Sequence, residues 1–210
     1  MEGAGRPELL TGWQNGRPIP GEKRKKRMNE LKRIENELIN KAVKGDGKAF
    51  DKLIRKYDRQ IMNLLLNILK NEDDASDAYQ NTFIKVYNSL GQFNRESSFY
   101  TWVYRIAVNT AYSFYNKRSD HAEFDEEIHS SKETQDLQIA GELELSDEEK
   151  REMVKKEIEK LSLQQKTVVY MKSFEGMKFK EIAEAMSLNE GTVKKYFFRA
   201  VENIKNNIEI

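Results

Sequence analysis

The sequence predicts an all-α protein built as two small helical domains joined by an acidic linker. Three observations lead there. Apolar residues recur at three- and four-residue spacing, and no stretch alternates with period two. With 38% hydrophobic and 34% charged residues, the 210-residue chain can bury a core but is polar for one large globule. Between Asp120 and Glu149, twelve acidic residues stand against a single basic one, Lys132, with few large apolar groups, which is the composition of a linker.

Residues 1–27 hold all three prolines, five of the eleven glycines and the basic run Lys23 to Arg27, without periodicity. They read as a disordered tail; Met28 is a candidate natural start, the preceding stretch then being an appended remnant. Helical spacing begins at Leu31 and continues through Ile34, Leu38, Ile39 and Val43, until Gly45-Asp46-Gly47 stops it. A second helix carries Phe50, Leu53, Ile54, Tyr57, Ile61, Leu64, Leu65 and Ile68. A third, from about Asp73 to Leu90, is expected to bury Ala75, Tyr79, Phe83, Val86 and Leu90. Gly91 breaks the chain, and a fourth helix starts near Ser97 or Ser98, either a good N-cap, and runs to about Arg118. These helices make a first domain over residues 28–118, followed by the linker at 119–149. In the second domain, residues 150–210, capping-box spacing occurs at Ser146 with Glu149 just ahead of it and at Ser162 with Gln165. Three runs follow, from Leu163 to Phe174, Lys178 to Met186 and Glu190 to Asn207.

Composition narrows the function. A formal net charge of +1 hides any nucleic-acid surface in the total, so the surface must be sought locally. The absence of cysteine excludes disulfides, thiolate zinc sites and cysteine nucleophiles, and fits a reducing cytoplasm. No apolar run approaches the roughly 20 residues of a membrane span, so no membrane insertion is expected. His121 and His129 both fall in the acidic linker, eight residues apart, which is no helix-borne metal pair. No glycine-rich phosphate loop is present. Neither an enzyme nor a cofactor is expected.

The stretch "FKEIAEAMSLNEGTVKKYFFRAVENI" has helix-turn-helix spacing. Ala183 falls where two helices cross, Ser187 sits four residues on in the turn where glycine is usual, and Val193 packs back six residues later. The helix after the turn presents Glu190, Thr192, Lys194, Lys195 and Arg199, a mixture of phosphate-binding and base-reading groups. An ordinary helical hairpin with a solvated basic face fits the same spacing.

A second concentration of chemistry surrounds the fourth helix. Phe93, Phe99, Tyr100, Trp102, Tyr104, Tyr112, Phe114 and Tyr115 cover every side of it and its entry loop, more rings than one buried face can take. Rings left exposed beside Arg95, Arg105, Lys117 and Arg118 would make a stacking platform in a positive groove, as single-stranded nucleic acid requires. Trp102, Arg105, Asn109, Tyr112 and Asn116 share one side of the helix. Core packing is the competing account of the same rings.

At these residues the chain resembles a known family. "DDASDAYQNTFIKVYNSL" followed by "FNRESSFYTWVYRIAVNTA" is similar to region 2 of bacterial sigma factors of the extracytoplasmic function (ECF) group. "LSLQQKTVVYMKSFEGMKFKEIAEAMSLNEGTVKKYFFRA" resembles region 4 of the same group. The likeness spans about residues 31–118 and 155–207, in the family's order. It implies a dissociable sigma factor that lends promoter recognition to RNA polymerase core, with the clamp helices of the largest subunit and the flap as its docking points. The third helix would bind the clamp helices through Asp74, Asp77, Gln80 and Asn81, where the family usually has Glu at the last position. The loop with Phe93, Asn94, Arg95, Ser97 and Ser98 would capture a base flipped from the minus 10 element, while Trp102 and Asn109 help separate the strands, with Arg105, Tyr112 and Asn116 beside them. The helix-turn-helix would read the minus 35 duplex through Glu190, Thr192, Lys194, Lys195 and Arg199; Lys195-Tyr196 stands where Ser-Arg is usual. The resemblance further implies a linker threaded toward the polymerase RNA path, against the plainer reading of a solubilising linker, and an anti-sigma factor that wedges between the domains. The alternative to a working factor is a sigma-like decoy that sequesters an anti-sigma factor without touching DNA, suggested by Asn81, Tyr196, Phe197 and Phe198.

Overall fold

The computed structural model describes residues 13–14, 17–18, 21–118 and 148–208. The acidic linker, His121, His129 and the Ser146 capping box lie outside the described residues. Apart from a two-residue antiparallel pairing of Trp13–Gln14 with Arg17–Pro18, the described chain is helical. It divides into two compact units, Met1–Lys56 and Tyr57–Ile210.

The first unit pairs α1 (Gly21–Val43) with α2 (Gly47–Ile54). Helix α1 starts ten residues before Leu31, because Lys, Arg, Glu and Met form helix without contributing an apolar period. Ile39 and Ala42 mark its buried side, whereas Ile34 and Val43, both expected inside, are 44% and 50% exposed because they fall on either flank of that side. The Asp46 carboxylate caps α2 by accepting from the Ala49 N–H at 3.1 Å.

The expected second helix is in fact two. A break at residues 55–57 separates α2 from α3 (Asp58–Leu69), with neither Gly nor Pro to announce it, so the apolar period runs through unchanged. In the second unit α3, α4 (Glu72–Ser89) and α5 (Phe99–Arg118) pack on one another around Ile61, Leu64, Leu65, Val86, Val103 and Val108. On α4 the fully buried residues are Ala75, Ala78, Thr82 and Val86. Tyr79 and Phe83, expected in the core, are half-buried and meet edge-on at 4.7 Å, with the Tyr79 hydroxyl donating to Asp58. A 3-10 turn, Leu90–Gln92, leads into the loop before α5.

The remaining helices are α6 (Glu148–Lys160), α7 (Leu163–Val169), α8 (Phe179–Met186) and α9 (Glu190–Ile208). Ser162 and Gln165 form the expected capping box, each side chain accepting from the other's backbone N–H. Helix α7 continues into a π turn, Tyr170–Phe174, which closes with the Glu175 N–H donating to the Tyr170 carbonyl at 3.3 Å. Helices α6, α7 and α8 all pack on α9, and α8 packs on α5.

Candidate nucleic-acid interface

The loop between the 3-10 turn and α5 is locally specified. Ser98 is the N-cap of α5, its hydroxyl accepting from the Thr101 N–H at 3.0 Å. Asn94 Oδ1 accepts from the Glu96 N–H at 3.3 Å, and Arg95 between them is held at φ +63°, the left-handed region that a non-glycine residue occupies at a cost. Asn94 and Arg95 are exposed, and Ser97 is half-buried.

The rings divide differently from the expectation of an open platform. Phe99, Trp102 and Tyr104 are buried, at 2%, 7% and 0% exposure, and Phe93 lies 5.4 Å from Phe99 and 5.2 Å from Trp102. Phe93, Tyr100, Tyr112 and Phe114 are half-buried; Tyr115 alone of the eight counts as exposed, at 38%. One face could not cover so many rings, and two do: α3 and α4 take one side of α5, and α8 takes another. The polar members Arg105, Asn109 and Asn116 remain exposed along α5. Tyr112 instead donates its hydroxyl to Thr167 Oγ1 on α7 at 3.2 Å. Burial, with the Tyr196 phenol on α9 adding to it and the Thr167 bond opposing it, raises the Tyr112 pKa above the ordinary phenol value.

On α4, Asp77, Gln80 and Asn81 are exposed and Asp74 is half-buried, on the side away from Val86 and Thr82. The Asp74 N–H is the donor to the Asn71 cap at 2.8 Å, and Asn81 Nδ2 donates to the Asp77 carbonyl at 2.8 Å. Ile84 and Tyr87, 59% and 48% exposed, continue the same side of the helix. Reading for polar residues alone missed them; their positions four and seven residues after Gln80 were the available signal.

The helix-turn-helix forms with Ala183 and Val193 buried at the crossing of α8 and α9. Ser187 adopts φ +57°, ψ +39°, the conformation that makes glycine usual there. Asn189 Oδ1 caps α9 through the Thr192 N–H at 2.7 Å. Glu190 and Arg199 are exposed, while Thr192, Lys194 and Lys195 are half-buried. Lys194 pairs with Glu190 at 3.2 Å and lies 5.9 Å from the Phe179 ring centre, so part of the expected phosphate-binding charge is engaged within the chain. Phe197 and Phe198 pack with Phe179 in a ring cluster behind the helix.

The two sets of residues meet. Asn94, Ser97, Trp102 and Arg105 line one wall of a cleft of about 540 Å³ whose other wall is Lys180, Glu184, Ser187 and Glu190. Sequence reasoning also missed Glu175, a half-buried acid in the turn after α7. Its Oε2 accepts from Gln60 Nε2 and from the Tyr100 hydroxyl, each at 3.1 Å, and its Oε1 accepts from the Tyr170 hydroxyl at 3.1 Å. No spacing or composition separates this acid from the 34 others. Tyr104 lies beside Tyr100 and Glu175 with its hydroxyl buried and no partner in hydrogen-bond geometry. Burial foremost, then Tyr100 and Glu175, raises its pKa. Among the described residues no group of three or more acids or histidines is placed to hold a metal ion, and no helix is long and apolar enough to cross a membrane.

Comparison with known proteins matches this arrangement. The Sigma-70 region 2 family matches residues 53–121, and the Sigma-70 region 4 family matches residues 151–204. The RNA polymerase sigma-H factor of Pseudomonas aeruginosa is 33% identical, over 81% of this chain and 91% of the relative. The ECF RNA polymerase sigma-E factor of Escherichia coli is 34% identical, over 82% and 93%. Among solved structures, CnrH in complex with the cytosolic domain of CnrY shares the fold at a TM-score of 0.60 and 18% identity, covering 84% of this chain and 97% of that one. The sigma factor RpoE in complex with the anti-sigma factor NepR from Bartonella quintana does so at 0.57 and 22%, covering 78% and 98%. With two region matches in order and relatives aligned over nearly their whole length, the chain belongs to the ECF group of RNA polymerase sigma factors.

Proposed function

We propose that this sigma factor docks on polymerase core through Asp74, Asp77, Gln80 and Asn81 of α4. In the same reading the Phe93 to Ser98 loop and the Arg105, Asn109, Asn116 side of α5 engage the minus 10 strand, and α9 engages the minus 35 duplex. Residues 28–118 then serve core and minus 10 binding, and residues 150–210 serve minus 35 binding. The observation that supports this most is the division of α5: its rings are turned inward while Arg105, Asn109 and Asn116 stay exposed beside a loop fixed by the Ser98 cap and the left-handed Arg95. Such a surface combines charge and amide hydrogen bonding with rings close beneath it, suited to a strand whose bases must be held out of the stack. The factor works in the cytoplasm beside the polymerase, contributes no catalytic step of its own, and is held in check by an anti-sigma protein like the one solved with the Bartonella quintana relative. A decoy is not favoured, because it would have no use for that exposed side of α5 or for a basic helix-turn-helix. The test is transcription from a promoter-rich genomic library by sigma-free core, with and without the full chain. Chain-dependent transcripts with shared upstream elements are expected; their absence, with no complex between chain and core, would overturn the proposal.

A further inference from the structure

We propose that Glu175 is a clasp that holds α7 to α9 on α3 to α5, so that the free factor rests closed, with its two candidate DNA-reading surfaces turned toward each other. The inference rests on the site assignments above and extends them to regulation.

The geometry points to it in four ways. First, of the three donors to the Glu175 carboxylate only Tyr170 is local. Gln60 on α3 and Tyr100 on α5 are 115 and 75 residues away in sequence, so the bonds tie together parts of the chain that the acidic segment separates. A carboxylate needed only to finish the turn after α7 would use Tyr170 and water. Second, the turn is built to deliver the group: the π turn and Gly176 at φ +66° fix the backbone on either side of Glu175, with the Met177 N–H donating to the Met171 carbonyl at 3.1 Å. Third, a second tie works in the same sense, where the Tyr112 hydroxyl reaches Thr167 while Thr167 donates to the Leu163 carbonyl. Tyr112 is one of the residues expected to face the minus 10 strand, and here it is engaged with α7. Fourth, the cleft between Arg105 and Glu190 has the volume of a small-molecule pocket, roughly 300–1,000 Å³ in general, and has no room for a segment of duplex.

Closure leaves one surface accessible. Asp77, Gln80 and Asn81 on α4 stay exposed while the DNA-reading groups face the cleft. Polymerase core can therefore dock first, and DNA can follow only after α7 to α9 leave α5. This order keeps a free factor from occupying promoters without polymerase. Closure is also poised rather than locked: Tyr104 spends the closed state with its hydroxyl buried and unpartnered beside the clasp, an arrangement that opening would relieve.

The chain has no cysteine, so Asn63→Cys on α3 and Asn206→Cys on α9, both exposed positions, accept a specific pair of spin labels in the full-length protein. A single short inter-label distance is expected without the further change. Glu175→Ala should shift most of the population to longer, broader distances and raise binding of the free chain to a random-sequence duplex of about 30 base pairs, at about 50 mM salt, roughly tenfold. That gain corresponds to an open fraction of about one tenth before the change. Gln60→Ala with Tyr100→Phe removes the two remote donors and leaves the α7 turn intact, so it should open the chain too, independently of any local unfolding in Glu175→Ala. An unchanged distance distribution in both variants would overturn the clasp. Opening without any gain in duplex binding would uphold the clasp and count against the DNA-reading assignments instead.

Discussion

Replacing Ser187 by glycine should make this protein more stable, although it removes a side chain. Ser187 ends α8 at φ +57°, where an L-residue with a Cβ is strained by about 1–2 kcal/mol. Its side chain is exposed and makes no hydrogen bond, while the backbone closure of the turn, with the Leu188 N–H on the Ala183 carbonyl at 2.9 Å, does not depend on it. Against the relief stands the added freedom of glycine in the unfolded chain, about 0.4–1 kcal/mol. The balance is a gain of about 0.5–1 kcal/mol, which in a chain of this size raises Tm by about 1–4 °C. Calorimetry of the full chain measures it, with Ser187→Val as the opposing control, since a β-branched residue tolerates the left-handed region least and should lower Tm. A Tm for Ser187→Gly at or below that of the parent would refute the reasoning.

Trp102→Ala should cost about 3–5 kcal/mol, because the indole is buried against Phe93 and Phe99. At temperatures where the variant is still folded it should bind core normally and open promoters poorly; normal opening, read with a fluorescent base in the minus 10 strand, would remove Trp102 from that role. Tyr104→Phe should stabilise the closed chain by about 1 kcal/mol by deleting a buried hydroxyl without a partner, as thermal unfolding would show, and a loss of stability would mean that the hydroxyl is satisfied. Lys194→Gln with Arg199→Gln should weaken duplex binding and lower its salt slope by about 1–2, less for Lys194 because it is paired with Glu190; an unchanged slope would reject α9 as the phosphate-contacting helix.

The helices were legible because apolar spacing reports burial directly: Ile61, Leu64, Leu65 and Ile68 lie where the period put them. Caps were legible at Ser98 and Ser162 for an equally local reason. The break at residues 55–57 was not, since no residue there forbids a helix and the period survives the interruption. The rings around α5 were found, but their exposure was misjudged. Periodicity sees one helix at a time and cannot tell that a second helix, α8, will cover the side that α3 and α4 leave open. Glu175 was invisible for the same reason in sharper form, because its partners Gln60 and Tyr100 lie in distant parts of the sequence, and nothing in its own neighbourhood marks it.

The π turn at Tyr170–Phe174 places the clasp under an unusual kind of genetic control. A π turn amounts to one extra residue in an α-helix. Losing one residue from it would restore α-helical register and swing everything that follows by about 100° around the helix axis, carrying the Glu175 carboxylate away from Gln60 and Tyr100. The tie between the two halves thus depends on a residue count as much as on a residue type. A three-nucleotide deletion could release it while leaving every docking and DNA-reading side chain in place.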